Sequence, residues 1–171
     1  MICSFRGEYE FLSNMYYATI ILGGVTYSCA EAAFQAVKLE DKTKRKMFSG
    51  LSGTEAKKLG RQVQLRKNWN SIRVDVMRWI IHEKFKQHPE LAEQLRNTAG
   101  HKIVEGNTWN DRFWGVCNGQ GENWLGKILM EERTKLVDSV EHDIYAEISK
   151  NPEFKAYFND MSDYINHSGG E

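Results

Sequence analysis

Apolar residues recur at intervals of three and four positions over most of this 171-residue chain, and that spacing restricts it to a fold built mainly from amphipathic helices. One stripe predicts a long helix over residues 70–87. It consists of Val74, Met77, Ile80, Ile81 and Phe85. Shorter helices are predicted over 29–40, over 52–59, from Pro89 and from Leu125.

Residues 16–28 have a different pattern. Two β-forming runs, Tyr17–Leu22 and Val25–Tyr27, flank Gly23-Gly24, a dipeptide typical of a two-residue hairpin turn. The glycine-rich stretch 98–123 is predicted to be loop, with one strand near Ile103-Val104. The sequence therefore predicts an α+β fold that is predominantly α-helical, with a small β-sheet or hairpin near the N-terminus.

The composition excludes several classes of protein. Hydrophobic residues make up 41% and charged residues 27%, as in an ordinary globular domain. No apolar run approaches the roughly 20 residues of a membrane-spanning helix, and the first residues lack the order of a signal peptide. The three cysteines and five histidines have no metal-ligand spacing, so we expect a cytoplasmic protein without a disulfide framework, metal or cofactor.

Charge divides the chain into two parts. Residues 136–171 carry eight acidic and two basic side chains, a net charge of −6, and the rest of the chain carries +6. A basic body suits a phosphate-bearing ligand. The acidic part is predicted to form two amphipathic helices, one over 140–148 and one from Pro152. We therefore divide the chain into a body, residues 1–135, and a C-terminal extension, residues 136–171. The extension is expected to add packing, to form a homodimer contact or to cap the basic body.

The helix predicted over 29–40 carries polar residues on one face. Glu31, Gln35 and Lys38 are spaced so that they share that face, beside an apolar one, and such a set can line a pocket. The alternative is that Ser28 and Glu31 form a capping box, in which the glutamate binds the backbone of the cap residue. The spacing alone favours the capping role.

The stretch 107–123 combines glycines with tryptophans and one candidate catalytic carboxylate. Trp109 and Trp114 offer flat faces on which a base can stack, and Asp111 lies between them. The alternatives are that the tryptophans belong to the core and that Asp111 caps a turn.

Two further groups suit a nucleotide. Arg6 can grip a phosphate through its planar guanidinium, and Asn14 can bind a sugar or a base edge, unless Ser13-Asn14 only forms a turn. Arg61 lies near Trp69 in a basic patch beside an aromatic side chain.

Short segments of the chain follow one another in the order and spacing of one known family. They are Phe5–Tyr9, Phe11–Asn14, Tyr27–Lys38, Ala56–Arg61, Leu65–Trp69, Val76-Met77, Lys84-Phe85, Val104-Glu105, Asp111–Gly115 and Gly121–Met130. Over roughly residues 3–135 the chain resembles the YbiA-like, or NADAR, family of N-glycosidases. It departs from the family at Ala32, where a histidine is common, and at Trp124, which occupies a variable position.

The resemblance implies a mainly helical fold and a metal-free hydrolysis of the bond between ribose C1′ and a nitrogen. Family substrates fall into two groups, ADP-ribose attached to guanine and phosphoribosylated intermediates of early riboflavin synthesis. The reaction builds positive charge on the ribose, which a carboxylate can stabilise while it activates water. Residues 1–135 would then form the N-glycosidase domain.

The resemblance and this chemistry together assign roles to ten residues. Glu31 is expected to be the carboxylate at the ribose and Asp111 a second carboxylate or ribose clamp. The expected substrate-binding residues are Arg6, Lys38 and Arg61 at phosphate, Asn14 and Asn123 at sugar or base, Trp69 and Trp114 as walls, and Gln35 on the Glu31 face.

Three functions remain open at this point. The Phe5–Tyr9 opening and the basic body favour removal of ADP-ribose from guanine in nucleic acid or nucleotides. The alternative is hydrolysis of phosphoribosylated riboflavin intermediates. A function of another class is non-catalytic binding of ADP-ribose or a related nucleotide.

Overall fold

The computed structural model of the chain describes residues 1–138, Ala146 and residues 149–167, with side-chain surroundings as far as Asn159. The described ranges form the predicted α+β fold, mainly helical with small sheets. The helices are α1 (Ala30–Val37), α2 (Gly53–Gly60), α3 (Trp69–Gln87), α4 (Pro89–Asn97), α5 (Trp124–Val137) and α6 (Pro152–His167), with 3-10 helices at Gly7–Leu12 and Thr43–Phe48. The strands are β1 (Ile20–Leu22) and β2 (Val25–Tyr27), which are antiparallel, and β3 (Gly106–Asn107) and β4 (Val116–Cys117), which are parallel.

Helix α3 is the centre of the fold, because α1, α4, α5, α6 and β1 all pack against it. A helix surrounded in this way must be apolar around most of its circumference. The predicted stripe is buried except for Val74, which is half-buried, and Ile72, Val76 and Trp79 are buried on the other sides. The periodicity therefore located the helix correctly and underestimated how much of it is enclosed.

The predicted hairpin is confirmed. Ile20 pairs with Tyr27 and Leu22 with Val25, and the turn residues Gly23 and Gly24 have φ angles of 54° and 74°. Positive φ at both turn positions suits the right-handed twist of a two-residue hairpin, and glycine adopts it without a steric cost. The Gln87 side chain at the end of α3 donates to Ile21 O over 3.1 Å and accepts from Ile21 N over 2.9 Å, so it occupies the free edge of β1.

The strand predicted near Ile103-Val104 is wrong in its position. Ile103 forms only an isolated bridge with Ile2, and the strand β3 begins three residues later, at Gly106. The reason lies in the hydrogen bonds of Ile103, since its carbonyl accepts from the Asn123 side chain over 3.0 Å and its N–H points at the sulfur of Met130. Side chains thus occupy the edge of Ile103 that faces away from Ile2, and Gly106 N donates to Val104 O over 3.0 Å, so the bridge is not extended into a ladder.

The predicted starts of α2, α4 and α6 are confirmed. Ser52 and Glu55 form a reciprocal capping box at α2, and Pro89 occupies the first turn of α4. The Asn151 side chain accepts from Glu153 N over 3.1 Å and from Phe154 N over 3.3 Å, which caps α6. The other helix predicted for the extension, over 140–148, lies outside the described residues except for Ala146.

The described part of the extension packs on the body. Phe154 is fully buried with its ring centroid 6.3 Å from that of Trp79 on α3. The ring of Tyr157 receives two guanidinium groups, Arg66 at 4.3 Å and Arg45 at 5.0 Å from its centroid. These contacts hold α6 against the body by aromatic packing and cation–π attraction. The division of the chain at residue 135 stays a prediction.

None of the helices within the described ranges is long and apolar enough to cross a bilayer.

A buried lysine ties α3 to the N-terminal segment. Lys84 is fully buried, and its Nζ donates to Phe11 O over 2.6 Å and to Ser13 O over 3.0 Å. Burial lowers the pKa of Lys84 to about 7, against a smaller opposing effect of Cys29. The lysine therefore fixes the turn that precedes Asn14.

We expect replacement of Lys84 by Met to change how stability depends on pH. Between pH about 7 and 10.5 the unfolded chain holds a proton at Lys84 that the folded chain has released, so wild-type stability gains from rising pH over that window. The Lys84→Met variant lacks this gain. Urea unfolding at several pH values measures the slope, and Lys86→Met, at an exposed position of the same helix, should behave as wild type. Parallel curves for wild type and Lys84→Met would contradict the prediction.

We expect Phe154→Ala to lower the free energy of unfolding by about 3–5 kcal/mol, because it opens a cavity beside Trp79. Thermal or urea unfolding measures the loss, with the exposed Lys155→Ala as control. Equal stability of the two variants would show that α6 adds nothing to the body.

Candidate active site

A cavity of about 930 Å³ opens between the N-terminal segment, α1, α2 and the loop that carries β3. Eight of the ten predicted site residues line it. They are Arg6, Asn14, Glu31, Gln35, Lys38, Arg61, Asp111 and Trp114. Their positions are therefore brought together by the fold, and their individual roles stay predictions.

Glu31 lies on α1 with only 8% of its surface exposed. Its Oε1 accepts from Gln35 Nε2 over 2.6 Å, one helical turn along, and its backbone N–H donates to Asn14 O over 2.9 Å. The capping box favoured by the spacing is wrong, because the cap residue of α1 is Cys29 and it makes no side-chain cap. Ser28 instead donates to Leu51 O, which leaves the Glu31 carboxylate for the cavity.

Asp111 both shapes a loop and lines the cavity. Its Oδ1 accepts from Phe113 N over 3.1 Å and from Trp114 N over 2.9 Å, so the predicted turn-capping role is present. The Asn107 side chain fixes the Asp111 backbone from both sides, by donating to its carbonyl over 2.7 Å and accepting from its N–H over 3.0 Å. These four bonds place the aspartate firmly in the lining.

A group of cations lies on the helix side of the cavity. Lys38 and Arg61 were predicted, and Lys57 joins them from α2, four residues before Arg61. Burial lowers the pKa of Lys38; Glu31 opposes that change, and Lys57 and Arg61 add to it. Lys57 falls within the Ala56–Arg61 segment, and its spacing from Arg61 is the signal that places both on one face. The group forms a positive region suited to phosphate oxygens.

Aromatic side chains form one wall. Phe34 lines the cavity, with its ring centroid 5.4 Å from that of Trp114 and 5.0 Å from that of Trp69. Trp69 is buried behind Phe34 and does not line the cavity, which corrects its predicted role as a wall. Trp109, which the sequence offered as a stacking face but not among the ten assigned residues, lines the cavity with 60% of its surface exposed.

Asn123, which was predicted to bind the sugar or the base, does not line the cavity. It is buried outside the lining, in the left-handed region with φ 55°, where asparagine is tolerated best among residues with a side chain. Its amide accepts from Glu105 N over 2.9 Å and donates to Ile103 O over 3.0 Å. It therefore positions residues 103–105 from the start of α5 and has no contact of its own with the cavity.

Glu105 is a third carboxyl group in the lining that sequence reasoning missed. Burial and the neighbouring Asp111 raise its pKa to about 7; Glu31 adds to this effect, and Lys57 opposes it. The only signal for it in the sequence was the pair Val104-Glu105 among the matching segments, without a role attached.

The carboxyl groups do not form a metal site. Within the part of the chain that the structure describes, no three His, Cys, Asp or Glu side chains come together as metal ligands would. What the lining offers is carboxylates for charge and proton transfer, cations for phosphate, and aromatic surface for a base.

Residues 4–137, most of the chain, match the model of the NADAR domain family. N-glycosidase YbiA of Shigella flexneri serotype 5b (strain 8401) is 41% identical over 133 residues, which cover 75% of this chain and 82% of that protein. A riboflavin biosynthesis protein of Vibrio vulnificus (strain YJ016) is 36% identical over 141 residues, 80% of this chain. The match spans only 38% of the Vibrio protein's own length.

The fold agrees with the sequence relationship. The NMR structure of the Escherichia coli protein YbiA superposes with a TM-score of 0.72 at 37% sequence identity, over 83% of this chain and 89% of that one. The family match, the identity to N-glycosidases and the shared fold lead to one conclusion: this chain is a member of the NADAR family.

Proposed function

We propose that this chain is a hydrolase of N-glycosyl bonds that cleaves between ribose C1′ and a base nitrogen and removes ADP-ribose from guanine in nucleic acid or nucleotides. The observation that carries the proposal is one cavity lined by Glu31 and Asp111 together with the cations Lys38, Lys57 and Arg61. Carboxylates suit the positive charge that develops on the ribose, and cations suit its phosphates. The relatives named N-glycosidase support the same reaction class.

The proposed reaction uses the two carboxylates at the sugar. As the C1′–N bond lengthens, positive charge builds on C1′ and the ring oxygen. Glu31 stabilises this charge, and Asp111 orients or deprotonates the water that attacks C1′. Glu31 is held by Gln35, and Asp111 by two backbone N–H groups, so neither needs to reorganise during the reaction.

The size of the cavity favours ADP-ribose over a smaller phosphoribosyl group. Its volume of about 930 Å³ lies near the upper end of the range for ligand pockets, about 300–1,000 Å³. Lys38, Lys57 and Arg61, with Arg6 from the N-terminal segment, supply more positive charge than a single phosphate requires. A diphosphate makes fuller use of that charge.

The second candidate substrate is a phosphoribosylated intermediate of riboflavin synthesis. It is favoured by the Vibrio relative, which carries the name of a riboflavin biosynthesis protein. The same carboxylates would act on C1′, with the phosphate at the cation group. Non-catalytic binding of ADP-ribose is the alternative of another class, and it predicts binding without turnover.

The proposal also covers the cellular location of the enzyme and its binding partners. Cys3, Cys29 and Cys117 are all unpaired, which suits the reducing cytoplasm. The partner would be the ADP-ribosylated guanine of DNA or a nucleotide. A homodimer through residues 136–171 stays a prediction, which the mass of the protein in solution would test.

We expect Glu31→Gln and Asp111→Asn each to lower kcat/KM by about 100-fold or more, since each removes a charge or a base while keeping the side-chain shape. The measurement is mass-spectrometric detection of products from guanine-ADP-ribosylated DNA and from the phosphoribosylated pyrimidine, offered separately. The exposed Glu40→Gln is the matched control and should retain wild-type activity.

The products decide between the candidates. Unmodified DNA together with free ADP-ribose supports the primary proposal, and release of the free pyrimidine base supports the riboflavin alternative. Full activity of Glu31→Gln would contradict the role assigned to Glu31. Binding of ADP-ribose with no product from either substrate would favour the binding module.

We expect Trp109→Ala to weaken substrate binding because Trp109 is the exposed aromatic side chain at the cavity and is free to stack on the base. Loss of about 1–3 kcal/mol of stacking corresponds to a rise in KM of about 5- to 150-fold. Trp109→Phe should recover most of the loss, and Tyr17→Ala, at another exposed aromatic position, should change nothing. Equal KM values for wild type and Trp109→Ala would remove Trp109 from the site.

A further inference from the structure

Glu105 is the carboxyl group of the cavity that has no hydrogen-bond partner. Glu31 accepts a bond from Gln35, and Asp111 accepts two from backbone N–H groups. Across the described residues, the Glu105 side chain accepts none, and its Oε2 is enclosed without a partner. A buried carboxyl group left in this state is costly when ionised.

The backbone around Glu105 is built to hold it there. The Asn123 side chain accepts from Glu105 N over 2.9 Å, and Gly115 lies directly against Glu105. A Cβ at position 115 would collide with the Glu105 carbonyl and with Oε2, so only glycine leaves the carboxyl group its position. The backbone of Glu105 is thus held by Asn123, and Gly115 leaves the space that the unpartnered carboxyl group occupies.

The charges that face Glu105 favour its protonated form. Asp111 and Glu31 are acidic, and Lys57 is the one basic group among the neighbours that influence it. With burial, they bring the pKa of Glu105 to about 7. A protonated carboxyl group carries an O–H donor, which the two hydrogen-bonded carboxylates lack when ionised.

We propose that Glu105 is the general acid of the reaction, donating its proton to the base nitrogen, or to an atom conjugated with it, as the C1′–N bond breaks. This inference rests on the proposed N-glycosidase function and adds the residue that the leaving group requires. The bonding electrons go to the nitrogen, which takes the proton from Glu105. Water adds to C1′ and gives a proton to Glu31 or Asp111, and exchange with solvent restores Glu105. The net change is hydrolysis, with one water consumed.

The three carboxyl groups then differ in role because their surroundings differ. Glu31 and Asp111 accept hydrogen bonds and act at the sugar, whereas Glu105 accepts none within the described residues and acts at the base. Enzymes that work near neutral pH commonly divide acid and base roles between carboxyl groups in this way.

The test is the pH dependence of kcat/KM for wild type and Glu105→Gln, on whichever N-glycoside the wild type hydrolyses. Wild-type kcat/KM should fall as pH rises through about 7, where Glu105 loses its proton. Glu105→Gln should lose about 100-fold or more at pH 6 and lack that descending limb. Glu105→Asp should keep the limb and part of the activity, since it retains the acid on a shorter side chain.

A second measurement shows whether the variant remains folded and whether the acid is protonated. The free energy of unfolding of the wild type should fall as pH rises from about 4.5 to 7. Over that window the side chain at position 105 has lost its proton in the unfolded chain, whereas folded Glu105 retains it. Urea unfolding of Glu105→Gln should lack this fall, and ADP-ribose binding, followed by calorimetry, should stay within about threefold of wild type.

The outcomes separate the two proposals. Activity of Glu105→Gln within about threefold of wild type, or an unchanged descending limb, would overturn the role of Glu105. An unchanged pH dependence of stability would overturn its protonated state. Absence of wild-type turnover on both N-glycosides would instead contradict the N-glycosidase function, and the unfolding measurements would still report on Glu105.

Discussion

The architecture of the site depends on a series of hydrogen bonds that begins at the buried side chain of Lys84. This lysine binds two carbonyls of the N-terminal segment, and the next carbonyl along, that of Asn14, accepts from the N–H of Glu31. Helix α3, the N-terminal turn and helix α1 are thereby held to one another by polar bonds. A neutral amine can make these two donations without the cost of a buried charge, which fits the lowered pKa of Lys84.

The other half of the site is organised by asparagine side chains. Asn107 clamps the Asp111 backbone, and Asn123 joins residues 103 and 105 to the start of α5. A loop with little regular structure obtains from such bonds the partners that a sheet would otherwise provide. The two short strands β3 and β4 follow from this arrangement, because few backbone groups remain available for a longer ladder.

Much of the fold could be predicted from the sequence, since helical spacing, the Gly23-Gly24 turn and the cap residues act locally. The site could be predicted in part, because the resemblance singled out residues that the fold does bring together. The spacing wrongly predicted a capping box between Ser28 and Glu31, because Ser28 donates to Leu51 O, which is distant in the chain. Trp69 and Asn123 belong to the correct neighbourhood, but whether a side chain faces a cavity or the layer behind it is decided by packing. Glu105 escaped notice because what distinguishes it is the absence of a partner, which no local pattern records.

Arg66 links the C-terminal extension to the site, because it contacts both Tyr157 of the extension and Lys38 of the cavity lining. The N–H of Arg66 donates to the carbonyl of Lys38 over 3.0 Å, so the residue whose guanidinium rests on α6 also fixes the end of α1. Tyr157 lies beyond residues 4–137, the part of the chain that the family model describes. A protein shortened to residues 4–137 would retain the whole cavity lining but would lose Tyr157, on which Arg66 stacks. Residues 4–137 therefore hold the whole cavity lining but not all of the side chains that pack against the helices carrying it.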